Sequence, residues 1–100
     1  MNKREIIWVF TGEGGVLPSG AFTSSAEAEE WIIKHKLSGS LREMPLGKGI
    51  FEWALEKNFT NMSEEEIEAK SKDPKFIQTF VTHSLEARIY ENGIKWPENT

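Results

Sequence analysis

The segment Ile6-Ile7-Trp8-Val9-Phe10-Thr11-Gly12-Glu13-Gly14-Gly15 combines an apolar run with a cluster of turn-forming residues. Five consecutive apolar side chains of high β-propensity predict a strand over Lys3–Thr11 that is buried on both faces and central in a sheet. The glycines predict a turn, after which Val16–Thr23 is expected to return as a second, kinked strand. Pro18 lacks a backbone N–H, so this second strand is expected to start late or to lie at an edge.

A helix is predicted immediately after these two strands. The Ser24 side chain can accept a hydrogen bond from a first-turn amide, and Glu27 three residues later completes a capping box. An apolar stripe at helical spacing runs through Ala28, Trp31, Ile32 and His35. Gly39 is the expected C-terminal stop, because glycine readily adopts the left-handed conformation that ends many helices.

Three shorter helices are predicted in the middle of the chain. The first has an apolar residue at every fourth position, at Phe51, Leu55 and Phe59. Ser63 and Glu66 form a second capping box, which opens a glutamate-rich helix. Asp73-Pro74 then supplies an N-cap and a first-turn proline for a helix that runs through Phe80.

The remaining strand signals flank these helices. A short strand is predicted over Leu41–Met44, ended by Pro45, and alternating residues predict another over Leu85–Tyr90. Asn92-Gly93 predicts a tight turn, after which residues 94–97 form either one more short strand or a docking tail. The pattern predicts an α+β fold in which a small, mainly antiparallel sheet packs against two or three helices, as a single domain over residues 1–100.

Composition narrows the classes of function. The chain has 100 residues, of which 38% are hydrophobic, and this suits one globular core. It has no cysteine, and no apolar run approaches the roughly 20 residues that cross a bilayer, so a cytoplasmic protein without membrane contact is expected. The net charge of -4 repels phosphate backbones, which disfavours nucleic acid as a partner and favours a basic protein.

The glycine-rich and titratable residues match no familiar catalytic or cofactor-binding motif. Gly12-x-Gly14-Gly15 has Leu17 where a dinucleotide-binding loop needs its third glycine, and Gly47-Lys48-Gly49 lacks the Ser or Thr of a phosphate loop. His35 and His83 are the only histidines, too few for the usual metal-ligand sets without cysteine. We therefore predict no catalytic residues, no metal and no cofactor, and expect that the protein is not an enzyme.

Several motifs, in a fixed order, resemble those of a family of short bacterial domains of unknown function. They are W-V-F-x-G-E-G from Trp8, P-S-G-x-F-T-S from Pro18, A-E-x-W-I from Ala28 and L-S-G from Leu37. The resemblance covers residues 6–59 and extends to 76–93. It implies a shared fold but supplies no activity and no site residues. By analogy with other small acidic bacterial domains, it suggests an immunity protein, which neutralises a toxin by binding it.

Protein binding is the function that these features predict. The charge concentrated at Glu64, Glu65 and Glu68 is predicted to contact a basic toxin or effector, although a solvated helix N-terminus also explains it. Trp96 is a second candidate contact, because tryptophan is enriched at binding hot spots, although a large apolar side chain at this position could equally cover the core. One alternative is a small-molecule-binding protein or small enzyme with a shallow pocket beside the glycine-rich hairpin. Another is a homodimer that buries a strand edge or Trp96.

Overall fold

The computed structural model describes residues 5–97, which form two compact units. The first unit, called the sheet unit below, comprises residues 5–46 and 85–97. The second, called the helical unit, comprises residues 47–84. Lys3 and Arg4 of the predicted first strand lie outside the described residues.

The sheet unit contains five strands and one helix. The strands are β1 (Ile6–Gly12), β2 (Gly20–Phe22), β3 (Gly39–Pro45), β4 (Ala87–Glu91) and β5 (Ile94–Trp96). Their spatial order is β2-β1-β3-β4-β5, and every neighbouring pair is antiparallel. The helix is α1 (Ser25–His35). The predicted α+β class and antiparallel sheet are confirmed, and β2 is an edge strand that starts after Pro18, as expected.

The core of the sheet unit lies between α1 and one face of the sheet. Its buried members are Trp8, Phe10, Ala28, Ile32, Leu41 and Tyr90. Fully burying a side chain such as Phe10, Ile32 or Leu41 stabilises the fold by roughly 1.5–3 kcal/mol each. Trp31 packs at the margin, with its ring centroid 5.6 Å from that of Phe10 in an edge-to-face arrangement.

The strand β1 is buried fully on one face only. Trp8 and Phe10 point into the core, whereas Ile7 and Val9, on the opposite face, are half-buried. Period-two alternation places these two pairs on opposite sides of the sheet. The prediction of burial on both faces therefore holds for Trp8 and Phe10 on the α1 side, where Ile6 is half-buried, and is wrong for the other side, which retains partial access to solvent.

The helix α1 begins at the predicted cap Ser24, but the capping box is incomplete, because the Glu27 carboxylate accepts from the Thr23 and Ser24 hydroxyl groups and not from the Ser24 N–H. The helix also ends earlier than predicted. The Glu27 N–H donates to the Ser24 hydroxyl oxygen at 3.2 Å, which is the expected cap. At the other end the left-handed residue is Lys36, with φ of 54°, and the Leu37 N–H donates to the Ile32 carbonyl at 3.0 Å. The prediction that Gly39 ends the helix is wrong, because the chain has already turned at Lys36 to begin β3.

Gly39 is required by strand pairing instead. It lies opposite Gly12 in the β1–β3 register, and its φ is 153°. A Cβ atom at Gly39 would overlap the Thr11 carbonyl oxygen and lie 2.8 Å from the Gly12 Cα. Real side chains essentially never approach backbone atoms this closely, so the β1–β3 pairing depends on a glycine here.

The helical unit contains α2 (Ile50–Glu56), α3 (Glu64–Lys70) and α4 (Pro74–Thr79). The Phe51 ring lies 5.4 Å from that of Phe76 and 5.2 Å from that of Phe80, in edge-to-face contacts. Trp53 is buried and Phe59 is exposed beyond the end of α2, although Phe59, not Trp53, belonged to the predicted apolar stripe. The four-residue spacing therefore located the helix but misjudged its buried face.

The caps of the two following helices form as predicted. The Glu66 N–H donates to the Ser63 hydroxyl oxygen at 3.2 Å, and the Ser63 N–H donates to the Glu66 carboxylate at 3.0 Å. Asp73 caps α4 by accepting from the N–H groups of Lys75 and Phe76. These bonds satisfy N–H groups of the cap residue Ser63 and of the first helical turns, which have no partner inside the helices.

The strands β4 and β5 form a hairpin through Asn92-Gly93. Both turn residues have positive φ, 52° and 84°, as a two-residue type I′ turn requires. Residues 94–96 are thus a strand and not a detached tail. Along β4, the side chain of Tyr90 is buried and that of Arg88 is half-buried, whereas those of Ala87 and Ile89 are exposed.

Candidate functional site

The sequence-predicted contact residues lie in different units. Glu64, Glu65 and Glu68 are exposed on α3 of the helical unit, and α3 has no buried residue. Trp96 belongs to β5 of the sheet unit. The three glutamates form no ion pair with another residue between 5 and 97. Their assignment as a partner-binding surface stays a prediction.

An exposed apolar surface surrounds Trp96, which we call the hairpin patch. It consists of Ile89, Ile94 and Trp96, whose side chains are 49%, 53% and 63% exposed. Ile89 is paired with Trp96 across the β4–β5 hairpin, and Ile94 precedes Trp96 by two residues. Directly paired residues and residues two apart share a face of a sheet, so the three side chains form one surface.

The same face of the sheet carries an open concavity of about 440 Å³ between β1 and β3, which we call the sheet concavity. Its floor is three cross-strand pairs, Ile7 with Met44, Val9 with Arg42, and Thr11 with Ser40. Pro18 and Pro45 complete its lining. The concavity is continuous in register with the hairpin patch, because Ser40 pairs with Ile89, which in turn pairs with Trp96.

The charge of the sheet concavity is set by one side chain. Arg42 is exposed and is the only charged residue among those described that line the concavity. Neither its guanidinium nor the hydroxyl groups of Thr11 and Ser40 have a side-chain partner within the described part of the chain. The concavity thus presents hydrogen-bond donors that have no side-chain partner within the described residues, beside an apolar floor.

Two lining residues of the sheet concavity, Thr11 and Pro18, flank the glycine-rich loop beside which a shallow ligand pocket was the alternative prediction. That ligand-binding role stays a prediction, and most of the lining belongs to β1 and β3. Ser40, Arg42 and Met44 were not singled out. The period-two alternation of β3 places them on one face, but the face on which α1 packs depends on tertiary structure.

A second polar cluster lies on the α1 side of the sheet. Arg88 contacts the Glu86 carboxylate at 2.6 Å and the Glu29 carboxylate at 3.2 Å, and its guanidinium lies 4.7 Å from the centroid of the Trp8 ring. The Tyr90 hydroxyl donates to Glu29 at 2.5 Å. Glu29 comes from α1 and its partners from β4, so these bonds attach the helix to the sheet.

The protonation of this cluster is fixed at neutral pH. Burial, with a further contribution from the hydrogen bond to Glu29, raises the pKa of Tyr90 to about 12. The hydrogen bond to Glu86 raises the pKa of Arg88 above its already high value. Tyr90 therefore stays neutral and Arg88 charged, and each is committed to a partner. The cluster therefore has a structural role, because it holds α1 against β4.

The two histidines lie in separate units. His35 is exposed in the last turn of α1, with its ring centroid 6.1 Å from that of Trp31, and His83 is exposed in the helical unit. Among residues 5–97, no helix is both long enough and apolar enough to cross a membrane.

Comparison with known proteins identifies a family. The family described as Domain of unknown function (DUF7710) matches residues 7–96, so the chain belongs to this family. No curated protein and no solved structure matches the chain.

Proposed function

We propose that this member of the DUF7710 family is a non-catalytic protein-binding module. Its most concrete form is an immunity or antitoxin-like protein that acts in the bacterial cytoplasm and neutralises a toxin by direct binding. The hairpin patch carries the proposal, because Trp96, Ile94 and Ile89 expose large apolar side chains side by side on one β-hairpin. Exposed apolar clusters of this kind are typical of interaction sites, and tryptophan is a frequent hot spot.

The acidic surface of α3 supports a basic partner. Glu64, Glu65 and Glu68 are exposed and their charges are not neutralised by ion pairs within the described residues. The whole chain has a net charge of -4. Such a charge distribution accelerates encounter with a basic protein and makes the association rate sensitive to salt.

Affinity capture with three variants tests the proposal. The wild-type chain is immobilised beside Trp96→Ser, Glu64→Gln with Glu68→Gln, and the matched control Glu13→Gln with Glu30→Gln, which removes two exposed charges elsewhere. We expect the wild type and the control to retain one stoichiometric basic protein from a lysate of the source organism. Trp96→Ser should lose it, and the α3 variant should bind it more slowly.

A growth assay tests the immunity form specifically. The captured protein is expressed alone and together with the wild-type chain, and growth is recorded. We expect growth arrest with the captured protein alone and recovery with the wild-type chain, but not with Trp96→Ser. If no stoichiometric protein is retained, or if all four immobilised chains retain it equally, the hairpin patch is not the interface and the proposal fails. Sedimentation of the chain alone checks the homodimer alternative.

Small-molecule binding is a second candidate function, favoured by the sheet concavity. Its volume of about 440 Å³ falls within the range usual for ligand pockets, roughly 300–1,000 Å³. It combines an apolar floor with a few polar groups, the usual composition of such sites. A ligand that binds only the folded chain raises its melting temperature, so a thermal-shift screen of metabolites tests this function. If no compound raises the melting temperature, this second candidate is rejected.

A further inference from the structure

We infer that the sheet concavity binds a small amphipathic carboxylate, with its carboxylate group at Arg42 and its apolar body over Ile7 and Met44. This inference rests on the second candidate function and names the chemical class of its ligand. It is independent of the hairpin patch and of the acidic surface of α3.

The three cross-strand pairs of the floor form a gradient of polarity. Thr11 with Ser40 is polar, Val9 with Arg42 combines an apolar residue with a cation, and Ile7 with Met44 is apolar. Successive pairs on one face are two residues apart, a rise of about 7 Å along the strands. A ligand that is charged at one end and apolar at the other therefore meets matching chemistry along the floor.

Arg42 provides the recognition of the charged end. Its guanidinium has no ion-pair partner within residues 5–97, whereas that of Arg88 is held by Glu86 and Glu29. A guanidinium presents its N–H donors as a planar fork that matches a carboxylate with two parallel hydrogen bonds. The hydroxyl groups of Thr11 and Ser40 are within the same lining and can donate further hydrogen bonds to the anion.

The lining also selects against other ligand classes. None of the eight described lining residues is acidic, so a cationic ligand would meet only repulsion from Arg42. A polyanion such as nucleic acid is opposed by the net charge of the chain. A single small anion with an apolar body satisfies the one cation and covers the apolar floor.

The test uses octanoate with two matched compounds of the same chain length. Octanol has no charge and octylamine has the opposite charge. Each is titrated into the full-length chain while amide chemical shifts are recorded for the residues of β1 and β3. We expect octanoate to shift the amides of Ile7, Arg42 and Met44 saturably, and to bind at least about tenfold more tightly than octanol, since hydrogen bonds to charged groups contribute about 1.5–3 kcal/mol.

Two variants locate the anion. Arg42→Gln removes the cation of the concavity, and Lys95→Gln removes an equal charge from a strand position whose pairing with Tyr90 places it on the other face of the sheet. We expect Arg42→Gln to weaken octanoate binding at least about tenfold and Lys95→Gln to leave it within about twofold. Both residues are exposed, so both variants should fold, which the dispersion of their amide spectra will show.

Three results would overturn the inference. If octanoate shifts no amide of β1 or β3, the concavity does not bind a carboxylate. If octanol binds as tightly as octanoate, or if Arg42→Gln binds octanoate as tightly as the wild type, the anion is not recognised by Arg42. The failure of this inference can be distinguished from the failure of the second candidate function. If a neutral metabolite raises the melting temperature and binds at Ile7 and Met44, the small-molecule function is retained and only the carboxylate specificity is rejected.

Discussion

At the scale of single residues, two arginines of the sheet show how environment assigns a role. Arg88 is half-buried on the α1 side, where Glu29, Glu86 and the Trp8 ring surround its guanidinium. Arg42 is exposed on the other face and has no such partner within the described residues. Breaking a partly buried ion pair leaves an uncompensated charge, whereas an exposed arginine is replaced at little cost. The first arginine is therefore structural, and the second is available for a ligand.

Tyr90 provides a direct test of the cluster around Arg88. It is the only tyrosine in the chain, so the ultraviolet absorbance of tyrosinate reports its ionisation alone. We expect an apparent pKa of about 12 in the folded protein, because burial and the hydrogen bond to Glu29 both favour the neutral phenol. Glu29→Gln should lower this pKa toward the ordinary value of about 10, since a neutral acceptor opposes ionisation less than a carboxylate does.

The raised pKa of Tyr90 also sets a pH dependence of stability. The unfolded chain ionises its tyrosine near pH 10 and the folded chain only near pH 12, so the stabilisation is complete below pH 10. It is lost between these values, at up to about 1.4 kcal/mol per pH unit. Denaturant titrations of the wild type and of Tyr90→Phe should show a smaller loss in the variant over this interval. If the free energy of unfolding falls equally with pH in the two proteins, the raised pKa of Tyr90 is not the cause of the pH dependence.

Gly39 is the second residue whose role we test by substitution. We expect Gly39→Ala to lower the free energy of unfolding by more than about 2 kcal/mol, because the new methyl group meets the backbone of Thr11 and Gly12. Gly12→Ala is the matched control in the opposing strand, where the nearest atoms are 3.8 Å away, and it should change the stability by less than about 1 kcal/mol. Equal effects in denaturant titrations would show that the close approach at Gly39 is not the cause.

At the scale of elements, the short helices of the helical unit depend on their caps. Neither α3 nor α4 has a buried residue, so packing contributes less to them than to α1, which buries Ala28 and Ile32. Helices of six or seven residues are unstable in isolation because nucleation is unfavourable. Ser63 and Asp73 accept hydrogen bonds from first-turn amides, and Glu66 accepts one from the N–H of the cap residue Ser63. These bonds compensate in part, since such caps contribute about 1 kcal/mol each.

Replacing the cap of α3 should therefore loosen that helix. We expect Ser63→Ala to lower its stability by about 1 kcal/mol, because the Glu66 N–H loses its acceptor. Ser63→Asp retains a hydrogen-bond acceptor at the same position, so the α3 amides of this variant should exchange as slowly as those of the wild type. Hydrogen exchange of the α3 amides measures the effect. Unchanged exchange in Ser63→Ala would mean that contacts other than the capping box hold the helix.

At the scale of the whole molecule, stability is expected to differ between the paired strands of the sheet unit and the helices α3 and α4 of the helical unit. The sheet unit has a buried core and seven-residue pairing between β1 and β3. In the helical unit α2 buries Phe51, Trp53 and Ala54, whereas α3 and α4 have no buried residue. Local opening is easiest where few apolar contacts are buried. A binding function that uses the hairpin patch or the sheet concavity would accordingly be carried by the more rigid part of the chain.

Native-state hydrogen exchange tests this difference. We expect the amides of Trp8, Phe10 and Leu41 to exchange only through global unfolding, with a strong dependence on denaturant. The amides of α3 should exchange through local opening, with a smaller free energy and little dependence on denaturant. If the α3 amides exchange with the same free energy as those of β1, the two units unfold together and the expected difference is absent.

The sequence alone determined the elements whose signals are local. The caps at Ser24, Ser63 and Asp73, the turn at Asn92-Gly93 and the late start of β2 after Pro18 all depend on residues within a few positions of each other. Such interactions are set by backbone geometry and nearby side chains, so a local pattern suffices to predict them. The antiparallel α+β class followed from the order of these elements.

Only the tertiary structure decided which side of each element is buried. Gly39 was expected to end α1 but serves the close approach of β1 and β3, and the buried side of α2 includes Trp53 instead of Phe59. The candidate site has the same origin, because Ile7, Arg42 and Thr11 become neighbours through strand register between distant segments. Period-two alternation divides a strand into two faces but does not say which one the helix covers, and that choice is made by packing the whole chain.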